Sequence, residues 1–183
     1  MKVVAVDAAP EASPQSMLSD ALAAARGVAG AIVRVAMPPG ADPTTLADLG
    51  LAGGQVMTPK GESPGERERA IFQDLFRRGA RRVVLVGGGV SSLTSAILDD
   101  AFRALEDAPR QVVLGPASTG GYYLLGLAAP EVPDLFTGVR RGTKYALMDT
   151  LRRCEFEERR VTFLPLLGEA PAGPVRQLHP HQV

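Results

Sequence analysis

Residues 115–127 read Gly115-Pro116-Ala117-Ser118-Thr119-Gly120-Gly121-Tyr122-Tyr123-Leu124-Leu125-Gly126-Leu127. Small residues run into two consecutive glycines, and an aromatic and aliphatic stretch follows. Glycine accepts backbone angles that other residues resist, so Gly120-Gly121 reads as a tight turn. Tyr122–Leu127 has the length and composition of a buried strand, and Gln111–Leu114 reads as another just before the turn. The turn therefore joins two elements of one sheet.

The pattern extends outward on both sides. Arg82–Val86 is an apolar strand of the fully buried type, followed by Gly87-Gly88-Gly89. Ser91 or Ser92 then caps a helix whose buried stripe is Ile97, Leu98, Ala101, Phe102 and Leu105. Downstream, Thr143 to Arg153 reads as helix with Leu147, Met148 and Leu151 apolar, and Val161–Leu164 as a last strand. Upstream, Lys2–Val6 is a short buried strand. Ser13-Pro14 starts a helix carrying Met17, Leu18, Ala21, Leu22 and Ala25 on one face and ending near Gly27. Ala31–Ala36 is the next strand. A connector rich in proline and glycine follows, then a weak helical turn or two within 44–51 and a short strand over Gln55–Thr58. Ser63-Pro64-Gly65-Glu66 is a strong helix start, with serine as cap, proline at the first position and glutamate at the third. That helix carries Ala70, Ile71, Leu75 and Phe76 and ends at Gly79. Strands alternating with helices predict an α/β fold: a single three-layer domain over residues 1–167 with a mostly parallel sheet. Residues 168–183 form a Pro/Gly-rich tail with little regular structure.

Composition narrows the function classes. The 183 residues are 45% hydrophobic and 22% charged, the range of a soluble globular protein. Twenty basic and twenty acidic residues leave no net charge, so no broad basic field is available to grip nucleic acid or an anionic membrane. The first residues meet Asp7 too soon for a signal segment, and no apolar run approaches the roughly 18 residues needed to span a bilayer. A lone cysteine, Cys154, forms no internal disulfide and builds no zinc site alone. A cytoplasmic protein is the expectation.

The quoted stretch resembles a signature of the DUF2064 bacterial glycosyltransferase-like family, of GT-A nucleotide-diphospho-sugar transferase fold, written Gly-Pro-Ala-x-Asp-Gly-Gly-Tyr-Tyr-x-x-Gly-Leu. The resemblance runs from about Met17 to Pro165 and includes Gly61-Glu62-Ser63-Pro64-Gly65-Glu66-Arg67, similar to the family's Gly-x-x-Leu-Gly-Glu-Arg. It implies a GT-A fold with a nucleotide or phosphate-ligand cleft. The departures concern charge. Thr119 replaces an aspartate in the signature, and Gly89 stands where the strand-end motif Gly-x-Asp-x-Pro-x-Leu has its own. Arg141-Gly142-Thr143 takes the place of Trp-Ser-Thr, and Gly168-Glu169-Ala170 that of a closing Asp-x-Asp. The loop bearing lysine and arginine after the first strand is missing. GT-A enzymes hold the donor diphosphate through a divalent cation, and Mg²⁺ or Mn²⁺ wants hard carboxylate oxygens. The expectation is a diverged member impaired in metal-dependent sugar transfer, with no metal site and no cofactor assigned. Mg²⁺ or Mn²⁺ enters only under the alternative of an active glycosyl- or nucleotidyltransferase using a rearranged site, for instance through Asp7 or Glu169. A third reading is a scaffold that binds a protein partner or a second copy.

The candidate ligand-binding residues follow from these features. Gly87, Gly88 and Gly89 before Ser91 and Ser92 suit an anion at a helix N-terminus, or simply a permissive turn. Thr119, Gly120, Gly121 and Tyr122 line the cleft as the resemblance implies, or the tyrosines pack in the core. Asp7 ends the first strand, where α/β sheets place ligand groups, or is a solvated strand end. The ligand would be a nucleotide sugar or another phosphate-bearing small molecule. Arg140, Arg141 and Lys144 read as a solvated face with phosphate binding as the alternative. Glu66 and Arg67 read as capping and pairing residues. Arginines beside Cys154 tend to lower its pKa, and His179 and His181 suit adventitious metal binding.

Overall fold

The computed structural model describes residues 1–8, 15–40, 47–87, 92–106 and 110–168. Along them run β1 (Lys2–Asp7), α1 (Gln15–Arg26), β2 (Ala31–Ala36), a 3-10 turn (Gly53–Gln55), β3 (Val56–Met57) and α2 (Pro64–Arg77). Then come β4 (Arg82–Gly87), α3 (Ser95–Ala104), β5 (Gln111–Pro116), β6 (Tyr122–Ala128), α4 (Ala146–Phe156) and β7 (Arg160–Phe163). The strands form one sheet in the order β3-β2-β1-β4-β6-β5-β7. All are parallel except β6, which is antiparallel to both β4 and β5. Only the short 117–121 turn joins β5 to β6, too few residues for a parallel crossover, so the glycine pair dictates the exception.

Period-2 alternation in β1 sorts the core into two layers. Val4 and Val6 pack with Leu18, Leu22, Leu98 and Phe102 from α1 and α3. Val3 and Ala5 pack with Ile71, Phe72 and Leu75 from α2 and Cys154 from α4. Tyr123 belongs to the first layer and Tyr122 packs against the second. The three-layer α/β domain with a mostly parallel sheet is therefore observed. Among the described residues no helix is long and apolar enough to cross a membrane.

The start of α2 forms as its sequence dictates. Ser63 Oγ accepts from Glu66 N, and Glu66 Oε2 accepts from Ser63 N at 2.9 Å and Glu62 N at 2.8 Å. Arg67 Nη1 donates to the Glu62 carbonyl at 3.1 Å. Two local expectations are corrected. Thr94, not Ser91 or Ser92, caps α3: its extended backbone lets Oγ1 accept from Ile97 N at 3.3 Å, whereas Ser92 has the left-handed φ of 70°. The helix α4 begins at Ala146 rather than Thr143, because the Thr143 hydroxyl is engaged by the Arg140 carbonyl at 2.8 Å and Tyr145 N at 3.2 Å in a preceding turn. Met148 is 53% exposed, since Ala146, Asp149, Thr150 and Cys154 set the inward phase of α4. The Ser13-Pro14 start and all of the tail except Gly168 lie outside the described residues.

Candidate functional site

The carboxyl ends of β1 and β4 bring Asp7 and Gly87 into register, and β6 starts at the same edge with Tyr122. Beside them, the 117–121 turn is closed by Ala117 N to Gly121 O and Gly120 N to Ala117 O, both at 3.0 Å. Gly120 adopts φ +89°, and a Cβ there would collide with the Lys144 carbonyl, so this position requires glycine. Leu147 N donates to the Gly120 carbonyl at 3.1 Å, docking the first turn of α4 onto the signature turn. Thr119 is exposed on that turn.

The charged centre of this edge comes from elements far apart in sequence. Glu68 lies on the buried stripe of α2 and is only 4% exposed. Arg141 Nη2 donates to its Oε1, and the Tyr122 hydroxyl donates to its Oε2 at 3.3 Å. The Arg141 guanidinium also lies over the Tyr122 ring, 3.9 Å from its centre. Burial pushes the Glu68 carboxyl up; Arg141 opposes the rise, and the charge of Asp7 adds to it. Burial pushes the Tyr122 phenol up as well, so it stays a hydrogen-bond donor. Burial works against the charge of Arg141, but Tyr122, Glu68 and Asp7 together hold its pKa above the ordinary guanidinium value.

Next to it Arg140 grips Asp149 in a fork, Nε to Oδ2 and Nη2 to Oδ1, each 2.8 Å, with its backbone N on Oδ2 at 3.2 Å. Arg140 thereby lowers the Asp149 carboxyl to about 2. The expected solvated basic face holds for Arg140, whose side chain stays 53% exposed beside Asp149, and for Lys144, but not for Arg141, whose side chain is 17% exposed. Alternation along β6 sends the two tyrosines to opposite layers: Tyr123 lies in the core at 2% exposure, and Tyr122 packs against the other layer with its hydroxyl on Glu68. Burial raises the Cys154 thiol to about 11, the opposite of the lowering that its neighbouring arginines suggested.

Gly88, Gly89, Ser91, Glu169, His179 and His181 lie outside the described residues. Ser92 is exposed, three residues before the first residue of α3. Among the described residues no three His, Cys, Asp or Glu side chains group as a metal site. Sequence reasoning missed Glu68 and Asp149, although the signal was present. Glu68 sits three and four positions before Ile71 and Phe72, and Asp149 sits three positions after Ala146, so each falls on a buried helix face.

Similarity to known proteins agrees with this geometry. None of the curated proteins matches the sequence. A solved structure from Desulfovibrio desulfuricans G20, provisionally described as a nucleotide-diphospho-sugar transferase, superposes with a TM-score of 0.75 at 23% identity, covering 92% of this chain and 81% of that one. CMP:2-keto-3-deoxy-manno-octonic acid synthetase complexed with CTP superposes at 0.61 with 13% identity, covering 94% and 92%. 4-Diphosphocytidyl-2C-methyl-D-erythritol synthase also superposes at 0.61, with 15% identity and coverage of 99% and 92%. These likenesses establish the fold as that of nucleotide-diphospho-sugar transferases. The family model for "Uncharacterized protein conserved in bacteria (DUF2064)" matches residues 21–143, more than half of the 183, and the chain belongs to that family.

Proposed function

We propose that the protein binds a phosphate-bearing small molecule, a nucleotide or nucleotide sugar, at the carboxyl edge of the sheet, and that it does so without a metal. One observation carries the reading. The edge holds a fixed guanidinium, Arg141, clamped between Tyr122 and Glu68 beside the glycine turn. A pre-oriented guanidinium recognises phosphate oxygens with little reorganisation, and the backbone at Gly121, where a Cβ would meet only the Thr119 hydroxyl at 3.9 Å, leaves room for close approach. Candidate ligand contacts are Gly87, Thr119, Gly120, Gly121 and Tyr122, with Gly88, Gly89, Ser91 and Ser92 nearby in sequence and Asp7 bordering them as a carboxylate that the phosphate must tolerate without a metal. Metal-dependent sugar transfer is impaired in this reading, because Thr119 offers a hydroxyl where the family signature has a carboxylate. Residues 1–167 act as one unit and 168–183 as an appendage to it.

A second reading, an active transferase with a rearranged site, is favoured by the electrostatic coupling of Asp7 with Glu68. Thermal denaturation with UDP-, GDP-, CDP- and ADP-linked ligands, each with EDTA, Mg²⁺ or Mn²⁺, separates the two. A ligand that binds the native state raises the midpoint by mass action. An upward shift in EDTA is expected. A shift that appears only with metal would overturn the metal-independent reading in favour of the transferase, and flat traces would overturn both.

A further inference from the structure

The strand β7 closes one end of the sheet and pairs with β5 on one side only. Its main chain alternates. Arg160 N donates to the Arg110 carbonyl at 3.3 Å and Leu164 N to the Leu114 carbonyl at 2.9 Å, so the backbone groups of Arg160, Thr162 and Leu164 turn toward β5. Those of Val161 and Phe163 turn outward, where no described strand meets them. The side chains here are apolar for a free edge. Val161 packs against the layer of α2 and α4, Phe163 shares its face and is 53% exposed, and Met148 of α4 is exposed to the same degree.

An edge of this kind takes up another extended segment, and the sequence of β7 is complementary to itself. Two copies related by a two-fold axis at Thr162, perpendicular to the sheet, run antiparallel and keep matching faces on the same side. Val161 then stands opposite the partner's Phe163 as a hydrogen-bonded pair, each donating to the other's carbonyl, and the axis repeats the pair. Every outward N–H and carbonyl of Val161 and Phe163 is thereby used. The side-chain pairs are favourable ones, a β-branched residue against an aromatic and Thr162 against its own copy. Gln111 Nε2 already donates to Thr162 Oγ1 at 2.8 Å, which leaves the hydroxyl proton for the partner. Arg160 meets the partner's Leu164, so no like charges face each other. Neighbouring registers lose bonds. Pairing Val161 with its own copy sets Phe163 against the partner's Arg159, whose N–H is given to the Cys154 carbonyl at 2.8 Å. Pairing Phe163 with its own copy sets Val161 against the partner's Pro165, which has no N–H.

We propose that β7 seats a second copy of this chain, paired antiparallel about Thr162, so that one sheet runs through a homodimer. The axis uses up β7 in both partners. The opposite end of the sheet, β3, is the two residues Val56–Met57, too short to take a further copy, so assembly stops at the dimer. The inference goes beyond the ligand reading and does not rest on it.

Sedimentation velocity of the full chain over a concentration series tests it, and a monomer–dimer equilibrium is expected. Val161→Pro removes an N–H that points away from β5, so the sheet keeps its own ladder. One hydrogen bond is lost from each copy, and dimerisation should weaken by about tenfold or more with the circular dichroism of the monomer unchanged. Thr162→Cys brings the two thiols together, because Cα atoms of such a pair lie about 4.5 Å apart, within disulfide reach. Mild oxidation should then give a covalent dimer. Arg160→Cys should not, since its two copies stand at opposite ends of the paired segment; Cys154 is buried and takes no part. A monomer at every concentration would overturn the proposal and leave the edge to another occupant. So would a dimer that survives Val161→Pro, or one that cross-links as readily through Arg160→Cys as through Thr162→Cys. If Val161→Pro does not fold, the two cysteine variants decide.

Discussion

The guanidinium of Arg141 lies 3.9 Å from the centre of the Tyr122 ring, so a loop residue covers the first residue of the signature strand. Glu68 completes the contact from α2, accepting from both. Three segments with no local reason to meet are thereby joined at the carboxyl edge, and the joint binds the 136–141 loop to the sheet.

Removing Arg141 leaves the Glu68 carboxylate buried without its cation, a change that typically costs about 3–5 kcal/mol. Arg141→Met should lose about that much at neutral pH in urea denaturation. The pH dependence has a definite sign. Glu68 titrates above its usual 4.5 in the folded state, so the native protein holds that proton more tightly than the unfolded chain. Its contribution is full below about 4.5 and is lost as pH rises through the folded value. Without Arg141 the folded value rises further, so the deficit of Arg141→Met should shrink toward pH 4.5 and grow toward neutrality. Glu68→Gln combined with Arg141→Met should recover most of the loss. A deficit independent of pH would refute the pairing argument.

Asp149 titrates in the opposite sense. Arg140 lowers it from 3.8 to about 2, so its contribution is present above 3.8 and disappears as pH falls toward 2. Asp149→Asn should flatten the acid limb of the stability curve between these two values. Circular dichroism melts across that range measure it, and an unchanged slope would show that the fork to Arg140 does not stabilise the fold.

Gly120→Ala should damage both fold and ligand response. The added Cβ meets the Lys144 carbonyl, and φ +89° strains any residue with a side chain. A loss of about 1–3 kcal/mol is expected, together with a smaller nucleotide-induced shift. Normal stability with a normal shift would mean that the turn does not shape the ligand edge.

Asp7→Asn discriminates between the two functional readings. A carboxylate at the edge repels phosphate in the metal-free reading, so its removal should tighten nucleotide binding several-fold in EDTA, read from the midpoint shift over a ligand titration. Weaker binding together with loss of any metal response would instead assign Asp7 to a cation.

Much of the architecture was legible in the chain. Apolar runs of four to seven residues marked the strands, and Ser63, Pro64 and Glu66 announced the start of α2 through hydrogen bonds that span three residues. The Gly120-Gly121 turn fixed the one antiparallel strand, because its length admits no other connection. Such features depend on neighbours along the chain, which a sequence displays. Where a helix begins was less legible: Ser91, Ser92 and Thr94 are all competent caps, and the choice of Thr94 rests on backbone angles that the surrounding packing sets.

The site shows the same division more sharply. Residue types and spacing by themselves determined an α/β chain whose glycine turn lies against a mostly parallel sheet, and the resemblance to the family signature marked Thr119 as a hydroxyl at a carboxylate's position. Only the tertiary structure decided that Arg141 leaves solvent to stack on Tyr122 and that Glu68 receives it 73 residues away. A charge is buried when a partner repays its desolvation, and that partner is chosen by the packing of α2 against the 136–141 loop rather than by anything adjacent in sequence.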